Sequence, residues 1–363
     1  QTQDTDAFDM SQETADKALE FVFRSPSPAI KIEFQGGEPL LNFNLITYIV
    51  SQAELLNASA NRNLEFVIAT NLAVVTDEML EFCRAHGIHL STSLDGPADL
   101  HNKNRPRPGK DSHQGALTGI ECARRIVGRD SVSALMTTTA ASLTQVREII
   151  DEYVSLGFEG IFLRPLSPYG FAVRTNAIAA YNVERWLEFY KEGLAYILSL
   201  NEAGIQFREF YTSVVLKKML TSDTPGYVDL MSPAGIAIKG IVYNYDGGIY
   251  ASDESRMLAE MGDETFRLGD LATNSYEDVF LSDALLDPLE QSFAYSAPMC
   301  NQCAFEPYCG ADPVFHHAVY GDFLGRKAES AFCKRTMALC RHIIELMRSD
   351  ASVKRTFMQW ATQ

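Results

Sequence analysis

Two hydrophobic periods take turns over the first 165 residues. Apolar positions at helical spacing predict helices over 11–24, 43–60, 76–86, 114–127 and 143–156. Ser11 stands where the first of these needs an N-cap. Short runs rich in Ile, Val, Leu and Phe predict strands over 30–35, 64–70, 88–94, 131–137 and 158–163. The α–β repeats recur at roughly thirty residues, the length of a βαβ unit. The predicted class is therefore α/β with parallel strands, and helices must cover at least one face of the sheet. A (β/α) barrel, partial or closed, and an open doubly wound sheet both fit this pattern. The pattern opens on a helix, so a barrel read from this chain lacks its first strand.

Beyond residue 165 the alternation weakens. A loop with Pro165, Pro168 and Gly170 leads to predicted helices over 183–200 and 207–220. An apolar run, the turn Asp246-Gly247-Gly248 and then Ile249-Tyr250 predict a hairpin within 236–253. Residues 298–333 are irregular and rich in cysteine, and helices over 332–348 and 353–361 follow. Three segments are expected: 1–165 as a partial barrel, 166–234 as a helical bridge, and 235–363 as a C-terminal extension.

Composition narrows the function classes. Hydrophobic residues make up 46% of the 363-residue chain and charged residues 21%, as in a globular protein. A formal net charge of −16 argues against a phosphate-backbone binder, so no nucleic-acid partner is expected. No apolar run is long enough to span a bilayer and no signal peptide is visible, so the expected location is cytoplasmic, without a membrane partner. The chain starts at Gln1, not Met, and is expected to continue upstream in a longer gene product. Seven cysteines, clustered late and without a secretory context, read as metal ligands rather than disulfides. Cys300-x2-Cys303-x5-Cys309, with Cys333 further on, offers four thiolates suited to an iron–sulfur cluster or to structural zinc. Cys83, Cys122 and Cys340 fall within predicted helices and read as core thiols.

The first predicted strand runs into Gln35-Gly36-Gly37-Glu38-Pro39. The glycines let the backbone turn sharply and approach a ligand, and Pro39 stops the strand. Glu38 falls at the C-terminal mouth of the predicted sheet, where α/β folds bind ligands. Thr70-Asn71 and Ser93-Leu94-Asp95-Gly96 end the next two strands, and His101-Asn102-Lys103-Asn104-Arg105 follows. Singly, each reads as turn or cap chemistry. In this order, each at or just beyond a strand end, they resemble the motifs of the radical S-adenosylmethionine (SAM) superfamily. The resemblance implies a partial (β/α)6 TIM-like barrel with a small irregular α+β cluster-binding extension. It implies SAM contacts from Gly36, Gly37, Glu38, Thr70, Asn71, Ser93, Asp95 and Arg105. The superfamily's Cys-x3-Cys-x2-Cys loop, which carries its catalytic [4Fe–4S] cluster, has no counterpart in the chain. That cluster is expected only in the longer native protein, and the chain alone is expected not to cleave SAM.

The cysteine-rich region resembles the SPASM extension of radical SAM enzymes that modify peptides. Cys300, Cys303, Cys309 and Cys333 match its second cluster, which implies one auxiliary [4Fe–4S] cluster. The first auxiliary site is expected to be absent, since Tyr243, Ser252, Asp253 and Pro313 stand at its positions. Cys309-Gly310-Ala311-Asp312-Pro313, His316-His317, Gly321-Asp322-Phe323, Phe332-Cys333 and Ser252-Asp253-Glu254-x-Arg256-Met257 further resemble the His-Xaa-Ser system maturases. That resemblance implies radical-initiated modification of a ribosomally synthesised precursor peptide with His-Xaa-Ser repeats. A reducing flavodoxin or ferredoxin and a second radical SAM maturase are the implied protein partners. Asp253 and Asp312 are candidate bases, each also readable as a turn or cap aspartate. His316 and His317 read as surface helix residues, while Tyr169, Phe171 and Arg174 are candidates to line a substrate channel. The rival reading is a non-catalytic peptide-binding subunit with a four-cysteine zinc knot.

Overall fold

The computed structural model describes residues 8–109, 111–166, 169, 182–222 and 227–362. Pro168, Gly170, Phe171 and Arg174 lie outside the described residues. Two compact units emerge. One takes residues 1–136 with 243–248 and 270–276, and the other takes 137–242, 249–269 and 277–363.

The first unit follows the predicted alternation. Helix α1 (Gln12–Arg24) is capped by Ser11, whose Oγ accepts from Thr14 N at 3.0 Å, and it buries Ala15, Ala18 and Leu19 on one face. Then come β1 (Ala29–Phe34), α2 (Phe43–Ala60), β2 (Asn63–Ala69), α3 (Asp77–Ala85) and β3 (His89–Ser93). A short helix that the periodicity missed, α4 (Ala98–Asn104), precedes α5 (Ser112–Val127) and β4 (Val132–Leu135). The four strands are parallel in the order β1-β2-β3-β4. Register sets Ile30 beside Leu64, Ile68 beside Leu90, and Leu90 beside Val132. Ile30, Phe66, Ile68, Leu90, Val132 and Ala134 are buried, and burial alternates along each strand. One face is thus the core, and the strand ends after Phe34, Ala69 and Ser93 share the C-terminal edge.

The second unit opens with α6 (Val146–Ser155), β5 (Gly160–Ile161), α7 (Val183–Glu202), β6 (Arg208–Glu209) and α8 (Phe210–Leu220). Strand β6 pairs in parallel with β5, so a sixth strand lies inside the segment expected to be a purely helical bridge. Its cause is a buried acid. Glu209 is fully buried, accepts from Leu163 N at 3.0 Å, Tyr190 Oη at 2.9 Å and Thr212 N at 2.6 Å, and caps α8. These bonds tie the end of β5 to β6 with no apolar run to announce the strand. The strand and helix succession is that of the partial (β/α)6 class.

The remaining elements are short. The hairpin strands β7 (Val242–Tyr243) and β8 (Gly248–Tyr250) form, and a third strand, β9 (Arg267–Asp270), extends them. Helix α9 (Asp253–Ala259) lies between β8 and β9; α10 (Tyr276–Phe280), α11 (Asp283–Gln291), α12 (Pro313–Tyr320), α13 (Ala331–Ser349) and α14 (Ala351–Trp360) follow. Among the described residues no helix is long and apolar enough to cross a membrane.

Candidate functional site

At the sheet edge, one carboxylate joins two strand-end loops. Glu38 Oε1 accepts from Leu40 N at 3.1 Å and from Thr70 Oγ1 at 2.6 Å, and Oε2 accepts from Asn71 N at 2.8 Å. Each oxygen of an ionised carboxylate has about two acceptor positions, so Oε2 retains one for a further donor. Thr70 is buried, and its Oγ1 also accepts from Leu72 N at 3.0 Å. Asn71 is exposed, and its Oδ1 holds Ala73 N at 2.8 Å. Gly36 has φ +152°, and no atom stands within 4 Å of where a Cβ would be built on it or on Gly37. The backbone there is open to an approaching molecule, and a half-exposed carboxylate with a spare lone pair stands beside it. These residues fit the amino acid moiety of SAM.

The third strand end is closed by an ion pair. Asp95 is 1% exposed and is clasped by Arg105, Nε to Oδ2 at 2.9 Å and Nη2 to Oδ1 at 3.2 Å. His101 is buried as well, and its Nδ1 accepts from Asp95 N at 3.2 Å, which puts the ring proton on Nε2. Burial, partly opposed by Asp95, lowers the His101 pKa to about 4, so the ring is neutral. Ser93 is half-buried at the end of β3, beside Leu135. The sequence motif thus brings Asp95, His101 and Arg105 into one clasp, and sequence reasoning had given His101 no task of its own.

A cavity of about 410 Å³ opens beside the loop after β2, with Leu72, Arg107, Asp111, Gly119 and Cys122 among its walls. None of Gly36, Gly37, Glu38 or Asp95 lines it, so it is not the space over the glycine-rich loop. Its presence corrects the reading of Cys122, which is half-buried at this wall rather than in the core. Cys83 and Cys340 are buried as expected.

In the second unit the four late cysteines converge. Cys300 begins a 3-10 turn, Cys303 ends it, Cys309 follows the turn Glu306–Tyr308, and Cys333 lies in the first turn of α13. Ser330 caps that helix by accepting from Cys333 N at 3.1 Å. Cys300, Cys303, Cys309 and Cys333 line one narrow cleft together with Phe305, Glu306, Lys327 and Met337. Burial raises the thiol pKa of Cys300 and Cys309, and burial plus the three neighbouring sulfurs pushes Cys333 up to about 11. Among the described residues no three His, Cys, Asp or Glu side chains are grouped to hold a single metal ion. Four thiols lining one cleft are the soft donors that an iron–sulfur cluster and a structural zinc ion both take. Gly310 sets the loop that carries Cys309. A Cβ on it would stand 2.0 Å from Asp229 O and 2.5 Å from Leu230 Cα, so only hydrogen fits.

The candidate acids differ. Asp253 is the first residue of α9, after the cap Ser252, and it pairs with Arg256 at 3.1 Å. Asp312 caps α12, accepting from Phe315 N at 2.9 Å. Burial, then the Asp229 charge, pushes its pKa up to about 7. His316 is 1% exposed, with Nδ1 2.8 Å from Asp312 O, which corrects its reading as a surface residue. His317 is partly buried, with Nε2 2.8 Å from Asp263 Oδ2. Tyr169 is buried, and its hydroxyl has no hydrogen-bond partner among the described residues.

Comparisons with known proteins meet this geometry. No protein-family model matches the chain. Over 97% of its length it superposes on 91% of the structure described as native anSMEcpe with bound AdoMet and Kp18Cys peptide, with a TM-score of 0.76 and 15% identity. The chain has the radical SAM fold. It is 29% identical over 161 residues to an uncharacterized protein of Methanocaldococcus jannaschii, a match that takes in 44% of this chain and 54% of the relative. Over 106 residues it is 24% identical to the radical SAM cyclopropyl synthase TigE of Paramaledivibacter caminithermalis, 29% of this chain and 21% of that one. It is also 29% identical over 119 residues to the serine-type anaerobic sulfatase-maturating enzyme of Bacteroides thetaiotaomicron, 32% of this chain and 28% of that one. The chain therefore spans between about one fifth and just over one half of the length of these relatives.

Proposed function

We propose that the protein belongs to a radical SAM enzyme that modifies a peptide or protein, with a ribosomally synthesised precursor carrying His-Xaa-Ser repeats as the substrate. The observation that carries the reading is the pairing of two sites: the glycine-rich edge organised by Glu38 and the cleft lined by four cysteines. Gly36, Gly37, Glu38, Thr70, Asn71 and Ser93 would hold SAM, whose chemistry in this superfamily is the supply of a 5′-deoxyadenosyl radical. Asp95 and Arg105 would act by fixing the loop beside it, since each already holds the other. Cys300, Cys303, Cys309 and Cys333 would hold one auxiliary [4Fe–4S] cluster that takes up an electron from the substrate. Asp312, with a pKa near 7, suits a proton acceptor better than Asp253, which is held by Arg256. The catalytic cluster, a flavodoxin or ferredoxin donor, a second maturase and a cytoplasmic location complete the proposal. So does the division into a barrel over 1–165, a bridge over 166–234 and an extension over 235–363.

The test is metal analysis of the chain purified without oxygen. About four irons and four sulfides per chain support the cluster. One zinc and no sulfide would sink it in favour of a zinc-knotted peptide-binding subunit. Mass spectrometry of a co-expressed precursor then defines the chemistry, since an oxidation or cross-link removes two hydrogens and an epimerisation leaves the mass unchanged.

A further inference from the structure

Two ammonium groups stand beside the cysteine cleft. Lys327 is 4% exposed, lines the cleft with all four cysteines, and donates to Gly310 O at 2.7 Å. Lys218, on α8 and half-buried, donates to Leu230 O and to Cys309 O. Among the described residues neither makes an ion pair with a carboxylate within 4.0 Å, although Glu306 shares the cleft wall and Glu306 and Asp229 act on Lys218 from further off. Carbonyl oxygens satisfy ammonium donors but supply no counter-charge. Burying a cation is unfavourable unless an anion stands near it. A metal centre changes this, because its ligands bind as thiolates.

We propose that Lys327 and Lys218 are the charge partners of the cofactor in the cysteine cleft, and that they raise its reduction potential so that it accepts electrons. The proposal rests on the cluster reading above. A [4Fe–4S] core on four thiolates has a net charge of about −2, and one-electron reduction adds another negative charge. Two fixed positive charges favour the reduced form over the oxidised one, since net charge and hydrogen bonding near the sulfurs set the potential. Both lysines also hold the carbonyls of the loop that presents Cys309, so charge and shape have to be separated.

The experiment uses the full chain, reconstituted without oxygen with ferrous iron and sulfide, and titrated with dithionite while EPR reads the reduced cluster. Lys327→Gln keeps a donor and removes the charge, Lys218→Gln does the same, and Lys327→Arg keeps the charge. The Gln variants should load as much iron as the wild type and reduce at lower potentials, the double variant lowest, with the Arg variant near the wild type. Full iron with unchanged potentials in the Gln variants overturns the charge role. If Lys327→Gln holds no iron, iron uptake decides: loading by Lys327→Arg supports the proposal, and failure of that variant too overturns it. Zinc without sulfide in the wild type overturns the cluster reading itself, an outcome distinct from either.

Discussion

The two candidate sites are built by opposite means. At the sheet edge the polar groups have partners within the protein: Glu38 is met by Leu40 N, Thr70 and Asn71 N, and Asp95 by Arg105. That site stands assembled on its own groups. In the cysteine cleft, half-buried thiols share the wall with Glu306 and the buried Lys327, which donates to Gly310 O, and the half-buried Lys218 donates to Cys309 O. With the proposed cluster in place, that site would gain negative charge beside its two lysines. Under the proposed function, the first arrangement would take a passing small molecule and the second a resident one.

Four measurements break or sharpen this contrast. The largest effect belongs to Cys303→Ala, which should abolish the auxiliary cluster and leave the sheet-edge unit intact. Iron analysis checks it, and unchanged iron content refutes the ligand set. Next comes Arg105→Ala. It takes the Arg105 guanidinium away from the buried Asp95 carboxylate, and loss of about 3 kcal/mol in denaturant unfolding is expected. Asp95→Asn in the Arg105→Ala background should recover part of that loss, because it removes the charge that Arg105 had balanced. Third, Gly310→Ala should cost about 2 kcal/mol by forcing a Cβ into the backbone of Asp229 and Leu230. Normal stability in that variant would mean that the loop yields easily.

The smallest effect is in pH, and there the two units differ in sign. His101 has its pKa lowered to about 4 from 6.5, so its neutral burial is harmless above 6.5 and stability falls as pH drops from 6.5 towards 4. Asp312 has its pKa raised to about 7 from 3.8, so its contribution is present below 3.8 and is lost as pH rises through 7. After allowance for solvent screening each slope amounts to on the order of 2 kcal/mol. The two windows overlap between about 4 and 6.5, where the opposite slopes offset each other, so each variant unmasks the other group: urea unfolding at pH 4.5, 6 and 7.5 should show stability falling towards acid in Asp312→Asn and falling towards neutral pH in His101→Gln.

Much of this was legible in the sequence where a short-range signal existed. The first nine predicted helices and strands formed within a few residues of their expected bounds, apart from β4 and α6, which are shorter, because apolar period and caps are local properties. The four metal-type cysteines converge as their spacing suggests. Strand β6 was not legible, since Arg208 and Glu209 look like loop residues until Leu163, Tyr190 and Thr212 surround the acid. His316 was misread because an eight-residue helix shows too few turns to reveal its inner face. The burial of Lys327 goes with its bond to Gly310 O, seventeen residues away in the chain, which no local pattern encodes.

Gly310 has a consequence for protein engineering. It packs against the backbone of Asp229 and Leu230, and Ala311 N donates to Met231 O at 2.8 Å. The cysteine loop is thus moulded on a segment some eighty residues earlier in the chain. A cassette cut at the cysteines and moved into a sister enzyme would arrive without its mould, whereas one that carries residues 228–231 along with 300–333 would transplant as a working pair.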